Sequence, residues 1–321
     1  MKEEKLENHK KLIFKILLFF ILEIFVFSLK VNFQNNKIFK YYNKKIKISL
    51  CTMGRKENLY IKEFVEYYFK LGIDHIFIYD DNEPNTEKIS DALGSKYNNK
   101  ITIYENIKEK INDQSTAFTD CYQKNLKKYD WFLMVDMDEY LYIVNNTFKK
   151  YLSNQIFNKC DFIIFHWVTP NDNNLVYYDR RPLFKRFKGP YKKSKYIKSI
   201  IRGNIKDLKY WVHSPVFSPK KNITCNNEGK IMFYKNLNFE SSNKISTKNA
   251  YIVHYRFKST EEFINKYKRG YKKWFGDKTN KFLKSLITNF FIVNKITIEK
   301  INFMEKELNL NLSEYRNKLN K

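Results

Sequence analysis

Asp136 and Asp138, followed at once by Glu139, close an apolar run in LMVDMDEYL at residues 133–141. Carboxylates this close repel one another, and gathering them costs stability unless a cation lies between them. Oxygen ligands of this kind suit Mg2+ and Mn2+. Mg2+ takes one or two carboxylates together with the phosphates of a substrate. The preceding Trp131, Phe132, Leu133, Met134 and Val135 form a short run that reads as a buried strand. Residues two apart in a strand share a face. The spacing therefore predicts Asp136 and Asp138 pointing one way, and Val135 and Met137 the other. The competing reading is a solvated acidic turn after the strand.

The elements that must position this pair follow from periodicity. From residue 46, KIKISLCTM reads as a first strand with a polar loop at 54–58. NLYIKEFVEYYFKLG then places Ile61, Phe64, Val65, Tyr68 and Leu71 on one helical stripe closed by Gly72. DHIFIYD (74–80) and ITIYE (101–105) read as the second and third strands, with a helix over 86–97 between them. QSTAFTDCYQKNLKKYD carries a helix before the strand that delivers Asp136. Strand–helix alternation of this kind predicts an α/β fold with a largely parallel sheet and right-handed crossovers. Ligands in such sheets bind beyond the carboxyl ends of the strands. That is where Arg55, Glu57, Asp80 and Asp136 would gather. Beyond residue 141 the expected elements are a short helix at 147–155 and strands at 160–168, 210–215 and 250–257. Helices follow from about 259 to 275 and within 281–320.

Composition narrows the class. A chain of 321 residues with 43% hydrophobic and 17% aromatic residues is no disordered protein and has ample core. The formal net charge of +26 suits nucleic acid, an anionic membrane or a phosphorylated substrate. Its Lys and Asn are scattered, so compositional drift explains it equally well. Cys51, Cys121, Cys160 and Cys225 lack metal-type spacing and indicate no dense disulfide framework. Cys51 and Cys121 fall on apolar faces and read as buried thiols. After a polar tail (1–11), residues 12–29 are almost wholly apolar, interrupted by Lys15 and Glu23. They read as an uncleaved transmembrane anchor, the alternative being a membrane-surface helix. Residues 30–45 read as a stem. Such an anchor makes the chain a single-pass membrane protein, Golgi or ER type II in a eukaryote, inner-membrane in a bacterium. Lysines flank the span on both sides and leave its orientation open. The sequons at Asn145, Asn222 and Asn311 matter if the domain is lumenal.

Four ordered blocks carry a resemblance: CTMGRKENLYIKEFVEYYFKLGIDHIFIYDDN, QSTAFTDCYQKNLKKYDWFLMVDMDEYL, YIKSIIR and HYRFKSTEEFINKYKRG. Together they resemble glycosyltransferase family 92 and related family 2-like enzymes over roughly residues 46–275, leaving 276–321 as a C-terminal helical extension. The resemblance implies a GT-A nucleotide-sugar fold with Mn2+ or Mg2+ at the Asp-x-Asp pair. It also implies transfer of a hexose, often galactose from UDP-galactose, onto a glycan or other saccharide. A metal on Asp136 and Asp138 would neutralise a diphosphate leaving group as a Lewis acid. Nearby cations would add transition-state stabilisation, and Lys198 and Arg202 are the first choices, Lys266 and Arg269 the next.

Glu57 and Asp80 match family positions expected near the nucleoside. The alternative for either is a helix cap. A histidine from the C-terminal part of a GT-A domain commonly completes the metal shell, which favours His254 over His213. Inverting transfer needs a carboxylate near the acceptor hydroxyl. Asp172 is the nearest candidate, in a TPNDNN turn where the family is typically glycine-rich, and Glu139 competes with it. Retention of configuration and an inactive transferase stay open. A nucleotidyltransferase would use the same metal pair, but no GxGxxG or GxxxxGK is present. A basic module for anionic lipid or nucleic acid is the other rival, and an anchor argues against nucleic acid.

Overall fold

The structure, a computed structural model, describes residues 46–319 except 98, 108–110, 112, 212, 217–221, 233–244 and 269–278. The expected tail, anchor and stem, and Arg269, lie outside the described residues. Among the described residues, no helix is long and apolar enough to cross a membrane.

β1 (Ile48–Gly54) leads through α1 (Ile61–Leu71), β2 (His75–Asp80), α2 (Ile89–Leu93), β3 (Ile101–Tyr104) and α3 (Gln114–Lys124) to β4 (Trp131–Met134). β3, β2, β1 and β4 lie side by side and parallel, so the helices between them are crossovers and all four carboxyl ends share one edge. α1 forms because Ile61, Phe64, Val65 and Tyr68 recur at helical spacing and bury one face, with Leu71 half-buried. Gly72 stops it in the left-handed region at φ 110°, where a Cβ is disfavoured. α3 starts at Asp113, whose side chain accepts from the Thr116 amide at 2.8 Å.

The second half continues with β5 (Glu139–Ile143), α4 (Phe148–Leu152), β6 (Phe162–Pro170), α5 (Leu183–Arg186) and β7 (Tyr191–Arg202). The short strands β8 (Lys209–Tyr210), β9 (Pro215–Val216), β10 (Thr224–Cys225) and β11 (Ile231–Met232) precede β12 (Ala250–His254). α6 (Thr260–Lys266), α7 (Thr279–Val293), α8 (Ile298–Leu308) and α9 (Ser313–Leu319) close the chain. β7 runs antiparallel between β4 and β6, and β12 joins β6 in parallel and β5 antiparallel. The fold is mixed α/β, with a ten-stranded sheet of order β11-β10-β6-β7-β4-β1-β2-β3, β12 pairing both β6 and β5.

Three local expectations are corrected. Residues 210–215 are not one strand, because Tyr210 and Pro215 are cross-strand partners in the β8–β9 hairpin. The strand over 250–257 stops at His254, where the Tyr255 amide turns to the Asp138 carbonyl at 2.9 Å. Cys51 and Cys121 are buried but not thiols: Cys51–Cys121 joins β1 to α3, and Cys160–Cys225 joins the segment before β6 to β10. Their Cα separations of 6.3 and 5.7 Å lie within disulfide reach.

The C-terminal helices share a core with the segment after β12. Leu286, Ile287 and Phe290 of α7 and Ile301 and Met304 of α8 pack with Phe257, Phe263 and Tyr267.

Candidate functional site

Because β4 ends at Met134, Asp136 and Asp138 stand on the turn into β5 rather than on a strand face. The turn is built by its neighbours. The Glu139 amide donates to the Asp136 carbonyl at 3.0 Å, and Glu139 Oε2 accepts from the Asp136 amide at 2.9 Å. Between the aspartates, Met137 tucks against the end of β1. A Cβ on Gly54 would lie 2.5 Å from Met137 Sδ, so the glycine is what admits the thioether. From below, the Tyr68 hydroxyl of α1 donates to the Glu139 carbonyl at 2.7 Å.

Each aspartate carries a lysine. Lys198, fully buried on β7, lies 3.1 Å from Asp136 Oδ1 and 3.5 Å from Glu139 Oε2. Gln114, first residue of α3, also donates to Asp136 Oδ1. Lys266, last residue of α6, lies 2.5 Å from Asp138 Oδ2. His254 Nε2 faces Asp138 Oδ1 at 3.4 Å, placed there by the β5–β12 ladder, which pairs His254 with Glu139.

Burial governs the protonation states. It would raise Asp138, but Lys266, His254 and Lys258 outweigh it and hold the carboxyl well below the usual range. Burial, reinforced by Asp136, lifts Glu139 well above the usual range against the pull of Lys198. Burial opposes the Lys198 charge, and Asp136 and Glu139 restore it, leaving its pKa raised. Burial lowers His254 despite Asp138, so its imidazole is neutral at pH 7, the form that ligates metal.

Asp138 and His254 fit a divalent ion. Neighbouring ligands of an octahedral ion at about 2.1 Å sit roughly 3 Å apart, close to the 3.4 Å seen here. Among the described residues, no three His, Cys, Asp or Glu side chains converge on one point. The donor set therefore suits an ion that keeps most of its positions for water and phosphate.

The other sequence-derived candidates fall elsewhere. Arg202 pairs with Trp131, at the opposite end of β4 from Asp136. It donates to the carbonyls of Phe157, Asn158 and Cys160 and stacks on Trp131 at 4.3 Å. Asp172 is buried with Lys300 at 2.6 Å and accepts from the Asn174 amide, joining the turn after β6 to α8. Asp80 caps α2: its two oxygens accept from the amides of Asn82 and Ile89 at 2.8 Å each. Arg55 pairs with Asp81 at 2.7 Å, and Glu57 faces Lys258 at 3.5 Å. Beside them, a cleft of about 620 Å³ is lined by Lys56, Asn58, Lys62, Asn82 and Glu87, near the ends of β1 and β2. His213 sits against Trp167, whose ring also meets His254 edge-on at 4.3 Å.

The profile of glycosyltransferase family 92 matches residues 44–290, most of the chain and every strand of the sheet. The chain belongs to glycosyltransferase family 92. A family 92 protein of Ricinus communis is 27% identical over 94 residues, 29% of this chain and 17% of that protein. One of Oryza sativa subsp. japonica is 24% identical over 108 residues, 33% of this chain and 18% of that protein. The chain thus aligns with less than a fifth of the length of each of these relatives.

Within this family 92 chain, sequence reading passed over Lys258, Gln114 and Trp167. Lys258 lies inside the quoted HYRFKS block, and a lysine buried in the left-handed region (φ 56°) gives no sequence signal. Gln114 opens a helix, a position that carries no chemistry until α3 is docked beside β4.

Proposed function

We propose that this chain is a metal-dependent glycosyltransferase of the GT-A type that moves a hexosyl group from a nucleoside-diphosphate donor to a saccharide acceptor. UDP-galactose is the first donor to test. The observation that carries the reading is the Asp138–His254 pair, flanked by Lys198 and Lys266, at the carboxyl edge of the sheet in a family 92 chain.

In this reading Asp138 and His254 would hold Mn2+ or Mg2+, with Asp136 on the same turn. Held there, such an ion would supply Lewis-acid neutralisation of the diphosphate charge. Lys198 holds Asp136 in place, and its buried charge adds a fixed positive field where negative charge develops. Trp167 and the β5–β12 ladder keep water from the inner side of His254. Glu139, buried with its Oε2 accepting from the Asp136 amide, shapes the turn rather than acting as a base. Asp172, neutralised by Lys300, fastens α8. The cleft at the ends of β1 and β2, lined by Lys56, Asn58 and Asn82, is the nucleoside pocket. The two buried disulfides support a working place for the domain on the oxidising side of a membrane.

Thermal melting of the full chain with UDP, GDP and CDP, each with and without Mn2+, tests the proposal. A ligand at 100 times its Kd adds roughly 2.7 kcal/mol to the folded state. One nucleotide should stabilise only with Mn2+, and Asp138→Ala should abolish the effect. Equal stabilisation of both proteins by polyanions, with no response to any nucleotide, would sink it.

A further inference from the structure

Lys266 and the proposed ion make claims on the same carboxylate. The ammonium lies 2.5 Å from Asp138 Oδ2, while Asp138 Oδ1 faces His254. The backbone carrying Lys266 is firmly held. Ser259 and Glu262 form a capping box at the start of α6, Arg186 binds Glu262 at 2.7 Å, and the Tyr60 hydroxyl also donates to it. Phe263 and Ile264 are buried on the same helix. The side chain differs from its anchor, being 24% exposed where Asp138 is 5% exposed. It reaches from solvent to a buried carboxylate, and so has somewhere else to go.

A second cation pushes the same way. Lys258 is buried, with its ammonium 3.5 Å from Glu57 Oε2 and 3.6 Å over the ring of Tyr60. Its charge attracts Asp138 and repels Lys266. A divalent ion between Asp138 and His254 adds to that repulsion, whereas the phosphates of a donor offer Lys266 new oxygens.

We propose that Lys266 is an exchange counter-ion, which yields Asp138 to a divalent cation and carries its charge to the donor diphosphate. The inference rests on the glycosyltransferase reading above. Its consequence is reciprocal coupling. Metal alone must displace an ion pair without compensation, nucleotide alone must draw Lys266 off an otherwise crowded carboxylate, and the two together satisfy every charge.

Binding of Mn2+, read by electron paramagnetic resonance of the free aqueous ion, tests this on the full chain, Lys266→Met and Lys266→Arg. Each is titrated without nucleotide and with UDP, GDP or CDP. Without nucleotide, Lys266→Met should bind Mn2+ ~10-fold tighter than the wild type, the equivalent of one charge-assisted hydrogen bond. The tightening that nucleotide confers should shrink by a similar factor, and Lys266→Arg should follow the wild type in both. If Lys266→Met binds Mn2+ no tighter, the exchange is overturned. If it binds tighter but keeps full coupling to nucleotide, the transfer of charge to phosphate is overturned. A wild type that binds no Mn2+ with any nucleotide overturns the metal-dependent reading and the exchange with it, which separates the two failures. Should Lys266→Met fail to fold by circular dichroism, Lys266→Gln takes its place.

Discussion

His254, the last residue of β12, is the cross-strand partner of Glu139, the first residue of β5. His254 Nδ1 faces Glu139 Oε1 at 4.0 Å while Nε2 faces Asp138 Oδ1 at 3.4 Å. The imidazole thus lies between two carboxyl groups, Asp138 on the side of the proposed ion and Glu139 behind it. Groups hydrogen-bonded behind a ligating histidine fix its ring and are worth about 10–100-fold in metal affinity. Glu139, at 4.0 Å and not hydrogen-bonded to the ring, belongs at the low end. Glu139→Ala should therefore weaken Mn2+ binding in the presence of nucleotide by that order, and Glu139→Gln should restore most of it. Equal loss in both variants would show that charge, not support of the ring, is what Glu139 provides.

Lys198 is the counter-ion at the centre of the other half of the site. It is fully buried, and Asp136 and Glu139 both face it. Removing one member of a buried ion pair typically costs about 3–5 kcal/mol. Lys198→Met should fall near the lower bound, because the Asp136 side chain is 28% exposed and can rehydrate. Denaturant unfolding reads this directly, and a loss below ~1 kcal/mol would mean the pair is not formed in solution.

Asp172 separates a structural carboxylate from a catalytic one. Its partner Lys300 is wholly buried on α8, so the pair links the sheet to the C-terminal helices. Asp172→Asn should lower the melting temperature and leave nucleotide affinity and sugar transfer per folded molecule unchanged. Loss of transfer with unchanged stability would return Asp172 to the role of base.

The disulfides give a chemical prediction. Alkylation of the unfolded, non-reduced chain followed by mass measurement should label no cysteine, and reduction should expose four. The Cys51–Cys121 bond closes a 70-residue separation between β1 and the helix that presents Gln114. Replacing both with serine should cost roughly 2–5 kcal/mol by the loop-entropy relation. Labelling of Cys51 or Cys121 before reduction would contradict the pairing.

The strands and helices up to residue 141 were legible because their apolar periods are local. Phe64, Val65 and Tyr68 repeat at helical spacing, and Trp131–Met134 form an unbroken buried strand. The end of that strand was not legible. Whether Asp136 continues it or begins a turn depends on Glu139 bonding back to the Asp136 amide and on Met137 fitting beneath Gly54. The gathering of Asp136, Asp138, His254, Lys198 and Lys266 was expected from the resemblance to the family's blocks, although His254 and Asp138 are far apart in sequence. Arg202 shows the limit of that approach. It shares β7 with Lys198, but four residues of extended chain place it at the far end of β4, on backbone carbonyls. Disulfide partners and the Lys300–Asp172 pair depend on tertiary contacts that no local pattern encodes.

Acid sensitivity follows from the histidines. His75, His166 and His213 are all lowered by burial, His213 to about 3, with Lys198 as a further cause there. Their folded-state pKa values lie below those of the unfolded chain, near 6.5. Below pH ~6.5 the unfolded chain therefore binds more protons than the folded one, and stability must rise with pH. The contribution is fully present above pH ~6.5 and is lost progressively as the pH falls toward 3, the His213 value. Asp138, depressed by Lys266 and His254 against its burial, extends the loss to lower pH, below the ordinary carboxylate range. Melting temperatures at constant ionic strength should fall from about pH 6.5 downward, with Glu139 and Asp172, which burial raises, opposing the decline. His213→Phe should flatten the upper part of that decline, since an apolar ring beside Trp167 has no proton to bind. A His213→Phe curve parallel to the wild type from about pH 6.5 to 4.5 would show that the His213 imidazole is hydrated rather than buried.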